Sequence, residues 1–101
     1  MKQIVRLILM LPVLVSAADH AIDQKKRTFS QSEITIKVGD TISFKNSDEI
    51  SHNVFSKTPG LEFDLRRQAP GAKSTVPFNK PGETEVRCSI HPKMKLIVKV
   101  K

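Results

Sequence analysis

Ile34-Thr35-Ile36-Lys37-Val38-Gly39-Asp40-Thr41-Ile42-Ser43-Phe44-Lys45 decides the architecture. Apolar and polar residues alternate from Ile34 to Val38, Gly39-Asp40 supplies a turn, and the alternation resumes until Asn46-Ser47-Asp48. A period of two marks a half-buried strand, so this stretch reads as two strands around one turn. The pattern continues on both sides. His52 to Ser56 is a third short run, closed by Thr58-Pro59-Gly60. Ser74 to Phe78 puts Val76 and Phe78 on one face, and Pro77, which cannot donate a ladder hydrogen bond, predicts an edge position. After the turn Asn79-Lys80-Pro81-Gly82 come a strand from Gly82 to Cys88 and a last one from Lys95 to Lys101. Ala21 to Phe29 is expected to add a first strand, and Leu65 to Gln68 a short one. Short strands with Gly, Pro and Asn turns predict an all-β domain, a small antiparallel Greek-key β-sandwich or barrel.

The amino-terminal residues read differently. Lys2 and Arg6 are followed by an apolar run from Leu7 to Val15, then by Val15-Ser16-Ala17 and Ser16-Ala17-Ala18, two overlapping small-residue cleavage signals. Residues 1–18 are therefore expected to be a secretory signal peptide, cut after Ala17 or Ala18. The run is too short to cross a bilayer core of about 30 Å as a helix, so no membrane span is expected in the mature chain. What remains, residues 19–101, is expected to form a single domain in the periplasm. A domain of that size buries only about 60% of its unfolded surface, and a bound metal would help it. Cys88 is the only cysteine. Exported proteins normally pair their cysteines, so a single one requires another explanation.

Its neighbours provide one. Cys88-Ser89-Ile90-His91-Pro92-Lys93-Met94 places a thiol, an imidazole and a thioether at three-residue intervals between two strands. Strand parity puts Cys88 on the inward face with Val86, at the rim of the domain. His52 heads another strand and is expected to converge on the same point. Two imidazoles, a thiolate and a weak axial thioether are the donor set of a blue-copper electron-transfer site. Asn53 is expected to tie the two ligand-bearing segments together by hydrogen bonding. Four protein donors leave no open position for a substrate, which argues for an electron carrier and against an enzyme.

Several matches together carry a resemblance. Ile36-Lys37-Val38-Gly39-Asp40-Thr41-Ile42-Ser43-Phe44, His52-Asn53-Val54, Pro81-Gly82 and the spacing Cys88-x-x-His91-x-x-Met94 are similar to cupredoxins of the plastocyanin, pseudoazurin and amicyanin branch. The ligand loop is most similar to that of amicyanins. The resemblance implies one type 1 copper ion held by His52, Cys88, His91 and Met94, in a monomer that exchanges electrons with redox proteins. The chain departs from the pattern at Val86, where an aromatic residue is common, and at Lys93, which stands inside the ligand loop. Lys93 beside His91 is expected to favour a partner with an acidic docking surface.

A periplasmic protein that buffers or delivers copper, or confers tolerance to it, would need the same soft pocket. A plain β-sandwich interaction module predicts incidental histidines around a buried cysteine. Zinc fits the cysteine and histidines but not the thioether. Nucleic acid is disfavoured despite a formal charge of +7, because tryptophan and tyrosine are absent and no aromatic stacking platform accompanies the lysines. The run from Gln24 to Arg27 reads as a solvated face, and Asp48-Glu49 as loop charges. A free Ala18-Asp19-His20 terminus could also enclose Cu(II) in a square plane, if cleavage fell after Ala17.

Overall fold

The computed structural model describes residues 17–101; the leader assigned to residues 1–18 lies outside it except for Ala17 and Ala18. Among the described residues nine strands run in the order β1 (Asp19–Lys25), β2 (Thr28–Phe29), β3 (Glu33–Ile36), β4 (Thr41–Asn46), β5 (His52–Ser56), β6 (Phe63–Gln68), β7 (Lys73–Pro77), β8 (Gly82–Cys88) and β9 (Lys95–Val100). They form a four-stranded sheet in the order β2-β1-β4-β7 and a five-stranded sheet in the order β3-β9-β8-β5-β6. The all-β expectation holds, and β7 with Pro77 is at an edge. Among the described residues no helix is long and apolar enough to cross a membrane.

Two pairings are parallel: β1 with β4, from Asp19↔Thr41 to Gln24↔Asn46, and β3 with β9, from Glu33↔Ile97 to Ile36↔Val100. The sheets are therefore mixed, not purely antiparallel. Alternation along one strand says which face is buried but not which way its neighbour runs.

The inward faces meet in one core of Ile22, Phe29, Ile36, Ile42, Phe44, Val54, Leu61, Val76, Phe78, Val86, Leu96, Val98 and Val100. Each such side chain contributes about 1.5–3 kcal/mol of burial free energy. The β3–β4 turn needs one left-handed residue, and Gly39 supplies it at φ 93°. Val38 is 45% exposed because β3 ends two residues earlier than its alternation implies.

Asp40 closes that turn. Its carboxylate is drawn down from 3.8 to about 2 by the hydrogen bond with His20, then by the main-chain N–H groups of Lys37 and Ala18. The native state therefore binds fewer protons than the unfolded chain between those values, and stability rises with pH across that window. Urea midpoints of the metal-free protein are expected to fall between about pH 4 and pH 2. Asp40→Asn, which removes this carboxylate, should show a shallower fall. Equal slopes for the two proteins would remove Asp40 from the acid response.

Candidate metal centre

β5 and β8 are neighbours in the larger sheet and run antiparallel, with Val54 opposite Cys88. The head of one strand and the end of the other therefore meet, which brings His52 beside Cys88 at the rim. The loop from Ser89 to Met94 returns His91 to the same place. The donor atoms of His52, Cys88 and His91 all lie within 4.8 Å of one another. Cys88 Sγ is 3.6 Å from His52 Nδ1 and 3.9 Å from His91 Nδ1, and the two imidazole centroids are 5.1 Å apart. His52 and Cys88 are buried and His91 is half-buried. Met94, the fourth residue singled out in the sequence, is buried at 1% exposure where the loop enters β9.

The loop is fixed by main-chain contacts. Met94 N–H donates to His91 C=O at 3.0 Å, and the Arg87 guanidinium donates to Pro92 C=O at 3.0 Å. Asn53 joins the two segments through its backbone: its N–H points at Cys88 Sγ at 3.4 Å, and its C=O accepts Ser89 N–H at 3.0 Å. The Asn53 side-chain oxygen is buried without a hydrogen-bond partner. Ile90 is 55% exposed next to His91, and Lys93 is exposed.

Asp48 belongs to the site, contrary to its reading as a loop charge. Its Oδ2 lies 2.7 Å from His52 Nε2. Burial opposes ionisation of this carboxyl, but the N–H groups of Arg27 and Lys26 and the His52 ring outweigh it and hold it below the usual range. An ionised carboxylate can only accept, so Nε2 donates to it, which leaves Nδ1 of the neutral ring facing the cysteine side. Carboxylate partners of this kind orient imidazole ligands and raise their basicity.

The carboxylate is itself anchored. Lys26 and Arg27 occupy the β1–β2 turn at φ 52° and 57°, conformations uncommon for residues with side chains, and both N–H groups end on Asp48 at 2.8 and 2.9 Å. Asp48 N–H donates to Asn46 Oδ1, and Asn46 Nδ2 donates to the carbonyls of Ile50 and Gln68. Gln68 in turn accepts from Gln24 and donates to Phe44 C=O. Gln24 is thus fully buried, although the run it opens reads as solvated; Lys25, Lys26 and Arg27 are exposed. Asp48→Ala is expected to weaken copper binding about 10–100-fold, measured by competition with a chelator, while the sheet register survives. Unchanged affinity would reduce Asp48 to a loop-closing role.

The donors fit copper. A soft sulfur and two imidazole nitrogens converge in a largely buried cluster held by a hydrogen-bonded frame, the chemistry that suits the Cu(I)/Cu(II) couple.

Comparison with known proteins agrees with this reading. Residues 16–101 match the family described as "Copper binding proteins, plastocyanin/azurin family". The chain is similar to amicyanin-alpha of Methylorubrum extorquens, 36% identical over 69% of this chain and 61% of that protein. It is also similar to methylamine utilization protein MauL of Methylophilus methylotrophus, 32% identical over 80% of this chain and 51% of that protein. The chain thus spans only about half to three-fifths of these relatives. In fold it resembles a Cu(I) amicyanin variant (TM-score 0.76, 23% identity, 82% of each chain). It likewise resembles a purple cupredoxin from Nitrosopumilus maritimus (TM-score 0.72, 24% identity, 82% of this chain and all of that one). A fold, a donor cluster and a family match that agree lead to one statement: the chain belongs to the plastocyanin/azurin family of copper-binding proteins, and copper is its cofactor.

Proposed function

We propose that this protein is an extracytoplasmic type 1 copper protein that passes single electrons between redox partners. His52 Nδ1, Cys88 Sγ and His91 Nδ1 would hold the ion, with Met94 as the weak axial donor. Copper bound there supplies a one-electron Cu(I)/Cu(II) couple. The rest of the function lies in the chain's own residues. His52 is buried on a carboxylate, Cys88 receives a main-chain N–H, and the His91 loop is pinned at both ends. Donors fixed in this way cannot rearrange much between oxidation states, which favours fast exchange. The observation that carries the reading is the convergence of His52, Cys88 and His91.

His91 reaches the surface beside exposed Ile90 and Lys93, which supports electron exit at this point toward a partner with an acidic surface. The leader-like sequence supports a periplasmic location, and the protein is proposed to act as a monomer. The test is cyclic voltammetry of the copper-loaded protein with metal analysis before and after. A reversible one-electron wave with copper retained supports the carrier. Loss of the ion on reduction would favour copper buffering or delivery.

Met94→Leu addresses the axial role. Removing a donor that assists Cu(II) should raise the midpoint potential by about 60–120 mV, a ten- to hundredfold change in preference between the oxidation states. An unchanged potential and spectrum would take Met94 out of the ligand set.

A further inference from the structure

Asp40 is buried at 6% exposure on the β3–β4 turn, and three donors converge on its carboxylate. Oδ1 accepts Ala18 N–H at 3.0 Å. Oδ2 accepts Lys37 N–H at 3.0 Å and lies 3.0 Å from His20 Nε2. Ala18 is held on its other side as well, because its C=O accepts Thr41 N–H at 3.0 Å. Ala17, one residue earlier, is exposed, and β1 begins one residue later at Asp19. Among the described residues Ala18 is therefore the first held on both sides.

We propose that the exported chain begins at Ala18, and that Asp40 receives the new α-ammonium and so keeps the Ala18-Asp19-His20 terminus from capturing a second Cu(II). The covalent step is hydrolysis by a leader peptidase. Water adds across the Ala17–Ala18 amide, the Ala17 carbonyl leaves as a carboxylate, and the Ala18 nitrogen becomes an ammonium.

The sequence allows a cut on either side of Ala18, and the structure separates the two. A cut after Ala18 would remove the N–H that fills Asp40 Oδ1 and the C=O that satisfies Thr41 N–H. A cut after Ala17 keeps both contacts. It also turns a neutral donor into a charged one facing a carboxylate, which adds an ion pair to the hydrogen bond.

The same three residues could also hold a metal. A terminal amine, two amide nitrogens and a histidine in third position can form a square-planar site for Cu(II) or Ni(II). That chelate must draw Ala18 N and the His20 ring into one plane with the amides between them. Here the Ala18 nitrogen and the His20 ring are both drawn to Asp40, and residues 19–24 are extended in register with residues 41–46. Asp40 therefore competes directly with the metal for the amino nitrogen and, through Nε2, holds the His20 ring on the extended strand, away from the plane that the chelate needs. This inference rests on export of the chain and not on electron transfer.

The experiment starts from the full chain exported by a bacterial host. Intact mass and amino-terminal sequencing should give residues 18–101; a start at Asp19 or beyond overturns the proposal. Ni(II) then serves as the probe of the terminus. The wild-type protein should form no square-planar Ni(II) complex at one equivalent. Asp40→Asn should form it with at least about 100-fold tighter affinity, and Asp40→Asn combined with His20→Ala should lose it again. Equal Ni(II) binding by wild type and Asp40→Asn would overturn the latch. The sulfur-to-copper absorption should be unchanged in Asp40→Asn, which separates this test from the electron-carrier reading. Should Asp40→Asn fail to fold, a chain retaining Ser16-Ala17 moves the ammonium two residues away and leaves Asp40 intact. Its thermal midpoint is expected to fall by about 2–5 °C, and an unchanged midpoint would contradict an ammonium held at Asp40.

Discussion

Cys88→Ala is expected to lack the intense visible absorption and the reversible one-electron cycling proposed for the copper-loaded protein. The reason is specific to the sulfur. Two imidazoles remain in the variant, so any Cu(II) held there forms a pale nitrogen and oxygen complex without a thiolate to donate charge. Affinity for Cu(I), which favours soft ligands, should fall by at least about three orders of magnitude, because the only thiolate is gone. The fold should survive. Cys88 is 2% exposed at the end of β8, and its removal deletes one buried heavy atom and the acceptor that faces Asn53 N–H. Those losses together amount to about 1–2 kcal/mol. Optical spectra with Cu(II), alongside a urea melt of the metal-free variant, check both halves. A variant that keeps the intense band would place the metal elsewhere.

The second large effect is on stability. Phe44→Ala is expected to lower the unfolding free energy by about 3–5 kcal/mol. Phe44 is fully buried in β4, with its ring centroid 6.4 Å from Phe29 and 5.6 Å from Phe63. It therefore bridges the β2 edge of one sheet to β6 in the other. A domain of this size has only about 5–15 kcal/mol in total, so the metal-free variant should be marginal, its melting point lower by about 15–30 °C. Copper should recover part of the loss by mass action, because it binds the folded site and not the unfolded chain in the same way. Thermal melts with and without the metal test this. A loss below about 1 kcal/mol would show that the core relaxes around the cavity more fully than its packing implies.

Much of this was legible in the sequence, for identifiable reasons. Strands with one wet face write themselves as alternation, and so β4, β5, β7, β8 and β9 were readable from Thr41, His52, Ser74, Gly82 and Lys95 onward. His52, Cys88 and His91 were readable because rare residue types at short spacing narrow the chemistry sharply. Direction of pairing was not, since β1 and β4 would alternate identically in either sense. Asp48 was hidden for a related reason. Its importance depends on how the β4–β5 loop turns it toward His52 while the β1–β2 turn presents two N–H groups to it. Gln24 was misjudged because three exposed cations follow it; its burial follows from the amide of Gln68, forty-four positions away. Polar residues that pair across a fold leave no periodic trace.

The most direct measurement is addition of one equivalent of Cu(II) to the metal-free protein, followed by visible and electron paramagnetic resonance spectra of the same sample. The expected result is an intense sulfur-to-copper charge-transfer band together with a small copper hyperfine splitting. A pale complex with the wide splitting of ordinary tetragonal Cu(II) would contradict it.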